Sequence, residues 1–263
     1  MRTDFEALKG LYDRYVAGYR DAGGRLPVMM ELKYRHTAQV VENARLIADG
    51  EGFPAREREL ALAAALLHDT GRYEQLRRYD TFRDSESVDH AVFSHDIVRA
   101  NGWLEATVAD REDREAIAAA VLCHNRRELP ADLGAPGRLV ADAVRDADKL
   151  DIFRVLEQQV SECDWRHDAR AFWNLKVDVA PSPAVVAATA AGEPVDYGEI
   201  RSLADFVLIQ VGWMLSGLAF ATSRRICRER GHLEFRRRFL AEIGGGEESD
   251  RVCALALGRL IAV

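Results

Sequence analysis

The sequence offers no run that reads as a β-strand, no internal repeat and no low-complexity tract. Without period-two alternation a sheet-based architecture is excluded, and "DIFRVL" carries a spacing that a helix also satisfies. Cysteine is scarce: Cys123, Cys163, Cys227 and Cys253, none at a close metal-binding spacing. That argues against a thiolate metal site or a disulfide framework and for reduced core thiols in a cytoplasmic protein. The first residues, "MRTDFEALKG", have acids and a lysine where a secretory signal needs an apolar stretch. One segment, Phe206 to Ser223, is uncharged over 18 residues. Gln210, Gly212, Ser216, Gly217, Thr222 and Ser223 dilute it, so a buried core helix is expected there rather than a membrane span. Gly212 and Ser216 lie four apart and would let another helix approach. The excess of one charge sign is also small: 36 Lys and Arg against 43 Asp and Glu, interspersed, leave a net charge of -7. This argues against a nucleic-acid-binding surface while leaving room for a local basic pocket.

What is present is helical periodicity. Apolar or aromatic residues at 5, 8, 12, 15, 16 and 19 form one helical face. Further helices are expected over Leu32 to Ala48, stopped by Gly50 and Gly52; over Arg56 to Asp69, with Gly71 as a stop; over Asp89 to Ala100; over Asp110 to His124; and over Arg138 to Val160. Residues 76–87 read as a surface loop. Ser182 reads as an N-cap with Pro183 at the first helical position, and a last helix or pair covers Ile200 to Phe239. The expected fold class is all-α: a single compact helical domain over 1–263, with a core at 30–160, an N-terminal helix and a C-terminal helical section at 195–240 packed on it.

Eight apolar residues, Leu60 to Leu67, run directly into His68-Asp69. An ionised carboxylate buried without a partner costs several kcal/mol, so the end of this helix calls for a reason. Other helices show the same habit. His36 is in phase with Val40 and Ala44, His90 with Phe93 and Ile97, His124 with Val121 and Ile117, and Asp148 with Val144 and Val140. Five helices thus aim a His or Asp inward, a set of imidazoles and carboxylates that together can hold cations. Any one inward histidine has a plain reading as a hydrogen-bonded core residue, and Asp146 or Asp151 competes with Asp148 for the inward position. His95 lies five after His90 and points elsewhere. His232 lacks the pattern, and His167, among charges in "CDWRHDAR", reads as solvated.

The order His…His-Asp…Asp, with "ADKLD" from Ala147 to Asp151, resembles the HD-domain superfamily of metal-dependent phosphohydrolases, over roughly residues 30–160. The run "HDTGRYEQ…RRYDTF…SVDHA" resembles a bacterial subgroup of it. His36, His68, Asp69 and Asp148 match its four defining metal positions. His90 and His124 match the extra ligands of binuclear members such as the HD-GYP phosphodiesterases. There the second histidine is commonly followed by glycine four residues on, where this chain has Ser94. The GYP motif is absent, so cyclic-di-GMP hydrolysis is not implied.

The resemblance implies one or two divalent transition-metal ions (Mn, Fe, Co, Ni or Zn), with Asp69 bridging and Asp69 and His68 central to catalysis. It implies attack on phosphorus by a metal-activated water. The expected partner is a small phosphorylated molecule, nucleotides among them, with no membrane and with oligomerisation left open. Arg72, Lys149 and Arg126 are the expected phosphate-binding cations; Arg127, Arg77, Arg78 and Arg83 are weaker candidates, and Glu74 is a candidate to orient a bound water or a ligand histidine. Two other readings stand beside this one. Some HD proteins with six ligands are di-iron oxygenases, and an HD module that binds without catalysing would show a lost ligand position, which this chain does not.

Overall fold

Aspartates start three of the helices. Asp4 accepts from the Ala7 amide, Asp89 from Ala91 and Val92, and Asp110 from Glu112 and Asp113, each satisfying amides that the first helical turn leaves without partners. The computed structural model describes residues 3–166 and 175–262, so His167 lies outside the described residues. Among the described residues the chain is helical, with two isolated bridges, Thr3 to Val108 and Lys176 to Ser202, in place of strands. The chain divides into two compact units, Met1–Asp151 and Ile152–Val263.

The first unit contains α1 (Phe5–Ala17), α2 (Val28–Gly50), α3 (Ala55–Leu67), α4 (Gly71–Tyr79), α5 (His90–Ala100), α6 (Trp103–Thr107), α7 (Arg111–Cys123) and most of α8 (Ala135–Glu162). α3 is central: α1, α2 and α7 pack around it. Leu60, Ala61, Ala63, Ala64, Ala65, Leu66 and Leu67 are all buried. Each buried leucine contributes roughly 1.5–3 kcal/mol relative to exposure. The small alanines let the neighbouring helices come close. Asn43 of α2 donates to the Ala147 carbonyl of α8 at 3.0 Å, tying together two elements that carry site residues.

Several local expectations are corrected. Gly71 does not stop a helix; it begins α4, and helix continues to Tyr79 where a loop over 76–87 is expected from the charged sequence. The loop starts only at Asp80, whose left-handed φ of 52° ends the helix. Gly71 is needed for space: a Cβ there would sit 2.7 Å from the Ser94 amide nitrogen. The Gly71 amide donates to the Ser94 hydroxyl at 2.8 Å, so the serine that replaces a glycine in the resemblance joins α4 to α5. α6 is a further short helix that the sequence reading passes over.

The second unit holds the end of α8 and then α9 (Pro183–Ala191), α10 (Leu203–Gly212), a π-helical turn (Trp213–Gly217), α11 (Ala221–Glu229), α12 (His232–Glu242) and α13 (Gly246–Ile261). The stretch from Ile200 to Phe239 is therefore broken into more pieces than one helix or a pair, and α13 lies beyond it. Ser182 is the N-cap residue of α9, yet its hydroxyl donates to Asp205 and accepts from no amide of that helix. Asp205 in turn closes a capping box with Ser202 at the start of α10. At Gly212 an added Cβ would meet Thr189 Cγ2 of α9 at 3.0 Å, so the small residue does permit close approach. No helix among the described residues is long and apolar enough to cross a membrane. Cys123, Cys227 and Cys253 are buried thiols, whereas Cys163 is exposed and is not part of a core.

Candidate metal centre

α3 ends at Leu67 because His68 and Asp69 leave the helical ladder and turn into the space between α2, α5, α7 and α8. Three of the four helices bring a histidine to Asp69. His36 Nε2 and His68 Nε2 lie 3.7 and 3.6 Å from Asp69 Oδ2; His90 Nε2 and His124 Nε2 lie 3.7 and 3.9 Å from Asp69 Oδ1. From α8, Asp148 Oδ1 stands 3.1 Å from His36 Nε2 and 3.9 Å from His68 Nε2. The six residues thus fall into two groups that share Asp69, one carboxylate oxygen facing each. The groups His36–His68–Asp69 and Asp69–His90–His124 each have ligand atoms within 4.8 Å of one another.

Every imidazole is held by its other nitrogen. His68 Nδ1 donates to the Ala65 carbonyl at 2.7 Å and His124 Nδ1 to the Val121 carbonyl at 2.8 Å. His36 Nδ1 is bonded to Asp151 at 2.6 Å, and His90 Nδ1 to Asp84. Carbonyl and carboxylate oxygens only accept, so each Nδ1 carries a proton, and in His68, His90 and His124, which burial keeps neutral, the Nε2 lone pair is aimed at the centre. Asp148 and Asp151, three residues apart on α8, hold the His36 ring from both nitrogens. The competition between them for the inward position resolves in favour of both.

The electrostatics differ from ring to ring. Burial, helped by Arg72, pushes the His90 imidazole down to about 4. Burial and the neighbouring His68 do the same to His124, also to about 4, and burial lowers His68. His36 moves the other way. Burial and Lys33 pull it down, but the hydrogen bonds to Asp148 and Asp151 prevail and raise it to about 9. Burial opposes ionisation of Asp69 and Asp148, and nearby cations override it: Lys33 leads at Asp69 and His36 at Asp148, and both carboxyls stay well below the usual range.

These residues fit a divalent metal. His68 Nε2 is fully buried and has no hydrogen-bond partner. His90 Nε2 and His124 Nε2 stand 3.0 Å apart, two acceptors face to face, which a shared cation or proton reconciles. Imidazole nitrogen and carboxylate oxygen without thiolate suit Mn, Fe, Co, Ni or Zn.

The expected cations are placed differently from one another. Arg72 reaches the centre: its Nε is 3.4 Å from Asp69 Oδ1, and its Nη1 donates to Gln75, the Phe82 carbonyl and Asp84 at 2.8, 2.7 and 3.0 Å. Arg126 is exposed and pairs with Asp89 at 3.4 Å. Lys149 is half-buried, and burial lowers its ammonium against the pull of Asp146. Arg77 and Arg78 both bond Glu74 Oε1, and Tyr19 donates to Glu74 Oε2 at 2.9 Å. Glu74 thereby ties α4 to the turn that follows α1, with both of its oxygens bonded to these partners. Arg83 pairs with Glu86 at 2.6 Å. His95 is bonded to Asp96, outside the cluster.

Lys33 is the residue that sequence reasoning missed. Its Nζ lies 2.8 Å from Asp69 Oδ2. The available signal was its position three residues before His36, on the same helical face. Asp84 gave no such signal, since it lies in the segment following α4 and reaches His90 only through the tertiary fold.

The HD domain family matches residues 34–152, a span that contains all six residues. No curated protein and no solved structure matches the chain.

Proposed function

The chain belongs, through residues 34–152, to the HD domain family, and on that premise we propose that it is a metal-dependent phosphohydrolase acting on a small phosphate ester, nucleotides among the candidates. The observation that carries this reading is the division of Asp69, with Oδ2 facing His36 and His68 and Oδ1 facing His90 and His124. A divalent ion held there supplies Lewis-acid stabilisation of a phosphoryl oxygen and brings a water to ionise near neutral pH.

The chain's own residues do the rest. His36, His68 and Asp148 would hold one ion with Asp69, and His90 and His124 a second one across the same carboxylate. Asp151, Asp84 and the Ala65 and Val121 carbonyls hold each ring by Nδ1, so that Nε2 is the nitrogen that would face an ion. Buried walls lower the local dielectric, so each charge at the centre acts more strongly than in water. Lys33 and Arg72, both on Asp69, put positive charge beside the ligands and favour an anionic substrate over a neutral one.

The test is metal analysis of protein purified without added metal, followed by a phosphate-release screen over nucleotides and sugar phosphates. Turnover that requires Mn, Co, Ni or Zn and vanishes in Asp69→Ala supports the reading. Bound iron together with oxygen consumption, and no phosphate release, would replace it with the di-iron oxygenase alternative. Metal uptake with neither activity would mark a non-catalytic binding module.

A further inference from the structure

The oxygen of Asp69 nearest to Lys33 is also the one an ion needs. Lys33 Nζ is 2.8 Å from Oδ2, the oxygen that faces His36 Nε2 and His68 Nε2. An ammonium that donates to this oxygen occupies its lone-pair direction and places a positive charge where a divalent ion would bind. Arg72 lies on the other oxygen, Oδ1, and is locked in place by Gln75, the Phe82 carbonyl and Asp84. Lys33 has no such fork. It is a four-carbon arm whose other described contact is the face of Phe82, 5.5 Å from the ring centre, and its side chain is 17% exposed. Of the two cations on Asp69, Lys33 is the one free to move without breaking a network. Phe82 offers its ammonium a cation–π resting place beside the centre.

We propose that Lys33 is an exchangeable counter-ion. It neutralises Asp69 Oδ2 until a divalent ion takes that oxygen, and its displaced ammonium, still tethered beside the centre, then holds phosphoryl oxygens. The anion half of this inference rests on the phosphohydrolase reading; the competition half rests only on the geometry at Asp69. The exchange gives the centre a reason to carry a lysine so close to a ligand. The same charge that weakens metal binding becomes a binding group for the substrate once the metal is in place.

Titration calorimetry with Mn²⁺ on the full chain, comparing wild type, Lys33→Met, Lys33→Gln and Lys33→Arg, tests the exchange. Inorganic phosphate is then titrated into each Mn²⁺-loaded protein. A neighbouring charge moves an ionic equilibrium by one to three powers of ten, so Lys33→Met and Lys33→Gln should bind Mn²⁺ at least about tenfold more tightly than wild type. Both should bind inorganic phosphate roughly tenfold more weakly, and Lys33→Arg should stay near wild type in both titrations. Helical circular dichroism unchanged in both neutral variants establishes that the readout is local. Equal or weaker Mn²⁺ affinity in both neutral variants, or unchanged phosphate binding, overturns the inference while leaving the metal centre standing. A wild type that takes up no Mn²⁺ at all overturns the metal centre itself.

Discussion

Each unit of this protein buries a cluster of polar side chains, and the two clusters differ in how they close. In the second unit Arg236 is fully buried, and each of its five N–H groups is accepted. Nε donates to Gln210, Nη1 to Glu157 and the His232 carbonyl, and Nη2 to Gln210 and the Phe153 carbonyl. His232 Nδ1 adds a 2.6 Å bond to the same Glu157 oxygen, and the guanidinium lies over the Phe153 ring. Donors and acceptors are closely matched there; the atoms left over are His232 Nε2 and Gln210 Nε2. In the first unit the matching is lopsided. Four Nε2 atoms and the oxygens of Asp69 and Asp148 converge on one space, and the donors aimed at them are Lys33 and Arg72. The same residue types therefore build a structural network in one place and a cluster that could hold a metal in the other. What separates them is whether the hydrogen bonds close on one another or leave lone pairs pointing at a common point.

Mutations that open one cluster should leave the other intact. The largest effect is expected from Asp69→Ala, which removes the residue shared by both ligand groups. Metal uptake and turnover should vanish together. So should the rise in melting temperature with added Mn²⁺, which in the wild type corresponds to about 2.7 kcal/mol at a hundredfold excess over the dissociation constant. Scanning calorimetry with and without the ion reads this directly, and a retained metal-dependent rise would mean that the centre lies elsewhere.

Next in size is Arg236→Ala. It strips Glu157 and Gln210 of their shared partner in the second unit and should cost about 3 kcal/mol or more in urea unfolding. Its metal stoichiometry, measured on the folded protein, should equal that of the wild type. A loss of bound metal in this variant would erase the distinction between the clusters.

A smaller and sharper test is His90→Ala, which should lower the bound metal by one equivalent while the His36 group keeps its own. His95→Ala, five residues away and bonded to Asp96 at 3.1 Å, is the matched control. It should shift stability by no more than about 0.5 kcal/mol and leave the stoichiometry alone.

The smallest effect concerns acid. Burial raises the Glu157 carboxyl, but His232 and Arg236 outweigh it, and the folded value lies below the ordinary one. A depressed carboxyl contributes stability above its unfolded value, near about 4.3, and that contribution is lost as pH falls through the folded value. Between pH 5 and 3, roughly the span around that value, the wild type should therefore lose stability more steeply than Glu157→Gln. Equal slopes would show that the pair does not act as an ion pair.

Much of the first cluster is legible in the sequence. His36, His90, His124 and Asp148 are readable because each keeps the phase of apolar residues on its own helix, and phase is a local property of a 3.6-residue repeat. Asp69 is readable because it ends a wholly apolar helix. The corrections fall where local composition misleads. "LRRYDTF" looks like a solvated loop, yet its first four residues complete α4, held by Glu74 through Arg77, Arg78 and Tyr19. α13 shows the opposite case: Val252, Cys253, Ala256 and Leu260 form a helical stripe that is present in the sequence and buried in the structure.

Periodicity and residue type thus determined, from the sequence alone, that the chain is helical and that histidines and aspartates on five helices point inward, with the choice among Asp146, Asp148 and Asp151 left open. Only the tertiary structure decided that Asp69 presents one oxygen to each pair of histidines. It also decided that Asp84 and Asp151 fix the imidazole tautomers, and that Lys33 shares an oxygen with the ligands while Arg126 does not reach them. The physical reason is range. Phase along a helix is set by neighbours three and four residues away. Hydrogen-bond partners 115 residues apart, such as His36 and Asp151, meet only when the helices pack.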